Sequence, residues 1–181
     1  MNSSNIQLVR KPSDRIAFRT PRTEDGAAVW RLVKSCGPLD ENSLYCNLLQ
    51  CDHFSETCVV AERAEDSDIV GWVSAYLMPD DPQTLFVWQV AVDQSAQGQG
   101  IAKKMLRALL DREVCSGVHR LKTTITPDNA ASWALFRSFA RSCGGTLKSE
   151  PYFRKDAHFD GAHATEHMVT IALREEALSA A

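Results

Sequence analysis

The spacing of apolar residues changes along this chain, and each change marks an element. Val87, Val90, Ala91 and Val92 form a short apolar run, the pattern of a strand buried on both faces. Ile101, Met105, Leu106, Leu109 and Leu110 then recur at helical spacing. Upstream, residues 16–19, 57–62 and 69–77 read as strands. Val29, Trp30, Leu32 and Val33 mark the apolar face of a helix opened by the Thr23 hydroxyl, with Glu24 and Asp25 in its first turn. Gly37-Pro38 stops that helix, Asn42-Ser43 starts another, and residues 79–82 read as a loop. Downstream, residues 120–126 are expected to form a strand beside the central one. Pro127-Asp128-Asn129 leads into a helix carrying Trp133, Leu135, Phe136 and Phe139, closed by Gly144-Gly145. Two strands, 146–153 and 166–173, joined by a histidine-rich loop, end the chain. The order predicts an α/β (α+β) fold, a central mixed sheet flanked by helices, in one domain over residues 16–174. Residues 1–15 are expected to be a flexible tail and 175–181 a second tail.

Composition narrows the classes of function. The chain has 181 residues, 44% of them hydrophobic and 24% charged, enough for a full core without staples. A net charge of −3 gives no basic footprint for nucleic acid and suits a small cationic ligand. No apolar run approaches the ~18 residues of a membrane span. Residues 1–5 show no secretory signal, so the expected compartment is the cytoplasm. The six cysteines include no Cys-x-x-Cys pair, which argues against a disulfide framework or a zinc site. His163 and His167 have metal-ligand spacing only on a helix, and their surroundings read as a loop entering a strand, so no metal is expected.

The candidate chemistry begins at Gln97-Gly98-Gln99-Gly100-Ile101-Ala102. A glycine-rich, carboxylate-free helix start directs unpaired backbone N–H groups and the positive end of the helix dipole at one point, which suits phosphate or pyrophosphate. There is no Gly-Lys-Ser/Thr of a nucleotide P-loop and no third glycine of a dinucleotide fingerprint. Set between an apolar strand and an amphipathic helix, the string resembles the acyl-CoA signature Gln/Arg-x-x-Gly-x-Gly/Ala of the GNAT acetyltransferases. That resemblance implies the GNAT fold, with a central strand splayed from its neighbour, and acetyl-CoA as co-substrate. It places the pyrophosphate on the amides of residues 98 to 103, thus through Lys103, and the pantetheine arm along Val90, Ala91 and Val92. It also implies a cofactor contact for Asn129, which reads equally as a plain helix cap. Phe136 stands where many family members carry a Tyr that returns a proton to the leaving thiolate. Either Tyr45 or Tyr152 substitutes, or the proton comes from substrate or water.

Longer strings narrow the resemblance. Leu39-Asp40-Glu41-Asn42-Ser43-Leu44-Tyr45, Thr84-Leu85-Phe86-Val87-Trp88-Gln89-Val90-Ala91-Val92 and Gly161-Ala162-His163-Ala164-Thr165-Glu166, with Asp25-Gly26 and Thr126-Pro127-Asp128-Asn129-Ala130-Ala131-Ser132, are similar to the L-2,4-diaminobutyrate acetyltransferases of ectoine biosynthesis. The resemblance implies transfer of an acetyl group to the γ-amine of diaminobutyrate, an osmoprotective pathway, and a homodimer. Selecting one of two ammonium groups needs an anion for the other and donors for the carboxylate. Asp40 and Glu166 are the candidate anions, and Asn42, Tyr45 and Trp88 the candidate pocket walls. Trp88 reads equally as a core residue, on one defined face of its strand. His163 is a candidate base or substrate contact through the family's Gly-His-x-x-Glu pattern. Asn47 departs from an expected second aromatic, and Lys122 from an expected acid. A GNAT enzyme for another diamino acid or polyamine, or an acyl-CoA-sensing module without turnover, are the competing readings.

Overall fold

The computed structural model describes residues 15–37 and 41–173. Asp40 and both outer tails (1–14 and 174–181) lie outside the described residues. Among the described residues there are seven strands: β1 (Ile16–Arg19), β2 (Val59–Arg63), β3 (Ile69–Met78), β4 (Asp81–Val92), β5 (Arg120–Ile125), β6 (Thr146–Phe153) and β7 (Glu166–Ala172). They form one mixed sheet in the order β1-β2-β3-β4-β5-β7-β6. The helices are α1 (Gly26–Ser35), α2 (Leu44–His53), α3 (Ile101–Leu110), α4 (Ala130–Ser142) and a single turn, α5 (Lys155–His158). The expected mixed sheet with flanking helices is the observed fold. Among the described residues, no helix is long and apolar enough to cross a membrane.

Each sheet face has its own core. Met105, Leu106 and Leu109 of α3 and Phe136 and Phe139 of α4 pack on Val73, Ala75, Leu85, Val87, Leu121 and Ile171. On the other face Val29, Leu32 and Val33 of α1 and Cys51 of α2 pack on Val60, Trp72 and Ala91. Each large side chain so buried contributes about 1.5–3 kcal/mol of hydrophobic free energy. Burial pushes the Cys51 and Cys58 thiols up to about 12, so these cysteines act as small apolar residues.

The start of α1 differs from expectation. A 3₁₀ turn, Thr23–Asp25, precedes it, and the Asp25 carboxylate, in place of a Thr23 hydroxyl, accepts the Arg22 amide at 2.7 Å. Asp25 also accepts two hydrogen bonds from Arg19, at 2.7 and 2.9 Å, while Arg19 reaches Glu62 of β2 at 2.6 Å. A Cβ on Gly26 would lie 2.6 Å from Leu48 Cδ2, so Asp25-Gly26 fixes where α2 packs on α1. Ser43 caps α2 as expected, accepting the Cys46 amide at 3.1 Å.

The central strand is longer than its apolar run. Only Pro79 and Asp80 form the turn after β3, and β4 begins at Asp81, with Pro82 exposed near its start, where a missing N–H is tolerated. Its register with β3 jumps from Ser74↔Gln89 to Ala75↔Val87, leaving Trp88 as an extra residue. This bulge inverts the alternation. Leu85 and Val87 face the α3–α4 core, but beyond Trp88 it is Val90 and Val92 that face it, while Ala91 turns to α1. The simple alternation expected for Trp88 therefore fails, because an extra residue breaks the two-residue period.

The same strand opens on its other side. β4 and β5 run parallel and pair only at Thr84↔Arg120, Leu85↔Leu121 and Phe86↔Lys122. β5 nevertheless continues, paired with β7 as far as Ile125↔His167. Beyond Phe86, then, β4 leans on β3 alone and a gap opens through the sheet. This is the expected splay.

Candidate active site

Two cavities open from this gap. The larger, about 710 Å³, lies between the end of β4 and the first turns of α3 and α4. Gly100 caps α3 with φ 70°, and Gly98 has φ 76°, a backbone region that glycine enters without strain. A Cβ at either would meet nothing in the protein within 4 Å, so backbone conformation, not crowding, demands glycine here. The first helical hydrogen bond runs from the Lys104 amide to the Gly100 carbonyl at 3.0 Å. The amides of Ile101, Ala102 and Lys103 precede it, and no acid lies in that turn, leaving an anion-binding helix start. Gln97, Gly98, Gly100, Ile101 and Ala102 wall the cleft with Val90, Ala91 and Val92, whereas Gln99 and Lys103 do not. The Gln97 side chain donates to the Val92 carbonyl at 3.1 Å, tying the loop to the end of β4.

Cys36 and Gly37, at the end of α1, also wall this cleft, a contribution that sequence reading missed. The Cys36 thiol donates to the Val92 carbonyl at 3.5 Å. Burial raises its pKa above the ordinary thiol value, so it is not set up as a nucleophile.

The smaller cavity, about 190 Å³, passes into the gap between β4 and β5. Trp88, Gln89 and Val90 border it from one side and residues 123–126 from the other; Asn42, Phe136, His163 and Glu166 complete it. Asn42 Nδ2 donates to Gln89 Oε1 at 3.3 Å. Trp88 is 51% exposed, which makes it a rim residue and not a core one. His163 Nδ1 lies 2.8 Å from the Ala164 carbonyl. A carbonyl only accepts, so this contact is a hydrogen bond in the tautomer that carries the proton on Nδ1 and the lone pair on Nε2. That Nε2 lies 3.9 Å from the Glu166 carboxylate, whose side chain is only 16% exposed.

Two candidates and the two departures from the family pattern fall elsewhere. Tyr45 is 69% exposed on α2 and Tyr152 46% exposed on β6, and neither walls either cavity. Lys122 sits at the last closed β4–β5 pair, before the cavity-lining stretch of β5 begins. Asn47 is buried inside α2 and donates to Gln50 Oε1 at 3.0 Å, so its departure concerns packing. Asp40 lies outside the described residues. Gln89, Thr123, Thr124, Thr126 and Ser132 also line the smaller cavity; Gln89, Thr126 and Ser132 stand in the strings similar to the family's, though the sequence assigned them no role. For Thr123 and Thr124 a threonine run in a strand whose neighbour departs was the one signal.

The two cavities share Val90, Asn129 and Ser132. Asn129 is a helix cap, its Oδ1 accepting the Ser132 amide at 3.0 Å, and it borders both spaces as well. A thioester laid along β4 and an amine entering the gap would meet at these three residues. Among the described residues, no group of three or more His, Cys, Asp or Glu is placed to hold a metal ion.

Comparison with known proteins agrees with this geometry. The sequence profile of the acetyltransferase (GNAT) family matches residues 27–140. The chain is 49% identical over 156 residues to the L-2,4-diaminobutyric acid acetyltransferase of Methylotuvimicrobium alcaliphilum, covering 86% of this chain and 90% of that one. It is 44% identical to the enzyme of the same name from Vibrio cholerae, covering 93% and 96%. Among solved structures it resembles the diaminobutyrate acetyltransferase EctA from Paenibacillus lautus, in complex with its substrate L-2,4-diaminobutyric acid and coenzyme A. That match has a TM-score of 0.82 and 40% identity, and covers 88% of this chain and 95% of that one.

Proposed function

This chain belongs to the acetyltransferase (GNAT) family, and from that premise we propose that it transfers the acetyl group of acetyl-CoA to the γ-amine of L-2,4-diaminobutyrate. The observation that carries the reading is the meeting of an anion-binding cleft and a carboxylate-bearing cavity at Val90, Asn129 and Ser132. The P. lautus relative that binds diaminobutyrate and coenzyme A supports the choice of substrates.

The pyrophosphate rests on the amides from Gly98 to Lys103, and the pantetheine arm runs along β4. Alternate backbone groups of β4 beyond Phe86 have no β5 partner. They bond the arm and stabilise the oxyanion that develops on the thioester carbonyl. An amine with a pKa of about 10.4 is nucleophilic in only roughly one molecule per few thousand at pH 7, so the site must remove a proton. His163 Nε2 accepts it, and Glu166 stabilises the imidazolium and the ammonium that is not acetylated. Asp40 is the second anion of this reading. Asn42 and Trp88 hold the substrate carbon chain, and Tyr45 stands at the outer margin. With no activated thiol at the cleft, the amine attacks the thioester directly in a ternary complex.

The reading extends to a cytoplasmic, metal-independent enzyme of ectoine synthesis, hence osmoprotection, with one catalytic domain over residues 16–174. None of the six cysteines forms a disulfide, which suits a reducing compartment. A homodimer is part of the reading, supported by the exposed Tyr152 and Phe153 on the edge strand β6. The test is thiol release from acetyl-CoA with L-2,4-diaminobutyrate, ornithine, lysine, diaminopropionate and spermidine, with NMR of the product. Preference for diaminobutyrate acetylated at Nγ is expected. Preference for another amine would move the substrate assignment, and cofactor binding without turnover would leave a sensing module.

A further inference from the structure

Collapse of the tetrahedral intermediate leaves an electron pair on the cofactor sulfur, and that sulfur needs a proton. The aromatic ring of Phe136 has none to give. We propose that the Ser132 hydroxyl is the catalytic group that hands the proton to the leaving thiolate, a role that rests on the acetyl-transfer reading above. Among the described residues only Val90, Asn129 and Ser132 border both cavities, and these face the point where thioester and amine meet. Val90 has no polar side chain. Asn129 spends its Oδ1 on the helix cap, and an amide cannot accept and release a proton at one atom. The hydroxyls of Thr123, Thr124 and Thr126 border the amine cavity but not the cofactor cleft.

Ser132 is held in place yet its hydroxyl is uncommitted. Its backbone amide is anchored by Asn129 at 3.0 Å. Two serines at helix ends turn their hydroxyls onto their own helix: Ser35 donates to the Leu32 carbonyl at 2.7 Å and Ser142 to the Phe139 carbonyl at 2.8 Å. Ser132 Oγ makes no such bond within the described residues. It lies one turn before Phe136 on the same face of α4, and that ring, 2% exposed, closes the wall behind it. The step balances without another reactant. As the new C–N bond stands and the C–S bond breaks, the C–S electron pair stays on sulfur. Ser132 gives its proton to that sulfur and takes one from the attacking nitrogen, so the hydroxyl is restored as amide and free thiol depart.

The experiment is single-turnover thiol release from the acetyl-CoA complex of full-length parent, Ser132→Ala, Ser132→Thr and the double variant Ser132→Ala/Phe136→Tyr, with acetyl-CoA affinity from calorimetry. Ser132→Ala should lose about 100-fold in the chemical step with cofactor affinity within about threefold, the scale of a lost general acid. Ser132→Thr, which keeps the hydroxyl, should stay within about tenfold of the parent, and the tyrosine of the double variant should restore at least tenfold. A single-turnover rate for Ser132→Ala within about threefold of the parent would overturn the proposal, as would a rate loss matched by an equal loss of cofactor affinity. If the parent prefers another amine, the substrate assignment fails and the same ratios are taken with that amine. A parent inactive with every amine of the panel overturns both.

Discussion

The cofactor cleft and the amine cavity share three residues but are built on opposite principles. The cleft is made largely by one continuous run, from Val90 through Ala102, and it works through backbone: free amides at a helix start, two glycines with positive φ, and an unpaired strand edge. The amine cavity is made by side chains from five separated stretches, around Asn42, Trp88, Thr124, Asn129 and Glu166. The first recognises a chemistry common to every acyl-CoA; the second must recognise one amine among many. A backbone site is written in a short string, and a side-chain site only in the tertiary fold.

This contrast predicts a clean separation of effects. The largest belongs to the amine side. Glu166→Gln removes a sheltered charge facing the substrate, and kcat/KM for diaminobutyrate should fall by about 100–1,000-fold, the scale of breaking a desolvated charge pair. Acetyl-CoA affinity, measured by calorimetry, should stay within about twofold, since that site is backbone-built. Next comes Gly100→Val, which forces a β-branched residue to φ 70°. Strain of about 1–3 kcal/mol should raise the KM for acetyl-CoA roughly 10–100-fold and leave the amine KM nearly unchanged. If Gly100→Val raised both constants equally, the two cavities would be one cooperative unit and the contrast would fail.

The smallest effect lies outside both sites. Burial pushes Asp25 up, but hydrogen bonds from Arg19 and the Arg22 amide outweigh it, so its carboxyl stays below the ordinary value. A depressed folded pKa gives stability that is fully present above the unfolded pKa and is lost as pH falls through the folded one. Asp25→Asn should therefore lower Tm by about 2–4 °C at pH 7, and thermal melts of the two proteins should converge in acid. Rates with either substrate at 25 °C should barely change.

The legibility of the molecule in its sequence follows the same division. The glycine string, the strand before it and the helix after it were readable because each is local: period, cap and turn chemistry sit within a few residues. Sheet order was not, since nothing in the sequence from 146 to 173 says that β7 slips between β5 and β6. The position of Trp88 was misread as simple alternation because a bulge leaves no compositional mark. Glu166, His163 and Asn42 were found through longer strings resembling a known family. The lining role of Gln89 and of the β5 threonines became visible only once β4 was seen to part from β5. Tyr45 illustrates the reverse: a plausible acid in the string stands on the outer face of α2.

The extra residue at Trp88 also sets a rule for how this strand tolerates change. A substitution anywhere from Gln89 to Val92 alters one side chain and leaves its neighbours pointing where they were. Deleting Trp88 alone would remove the bulge and leave Val90 and Val92 facing α3 and Ala91 facing α1, whereas inserting one residue between Gln89 and Val90 would exchange the inner and outer sets, sending Val90 and Val92 toward α1 and Ala91 toward α3. Core, pantetheine track and amine cavity would be scrambled together. Point changes along β4 should thus give a graded series of enzymes, while a one-codon insertion after the bulge gives none, making the spacing of residues beyond Trp88 a stricter inheritance than their identities.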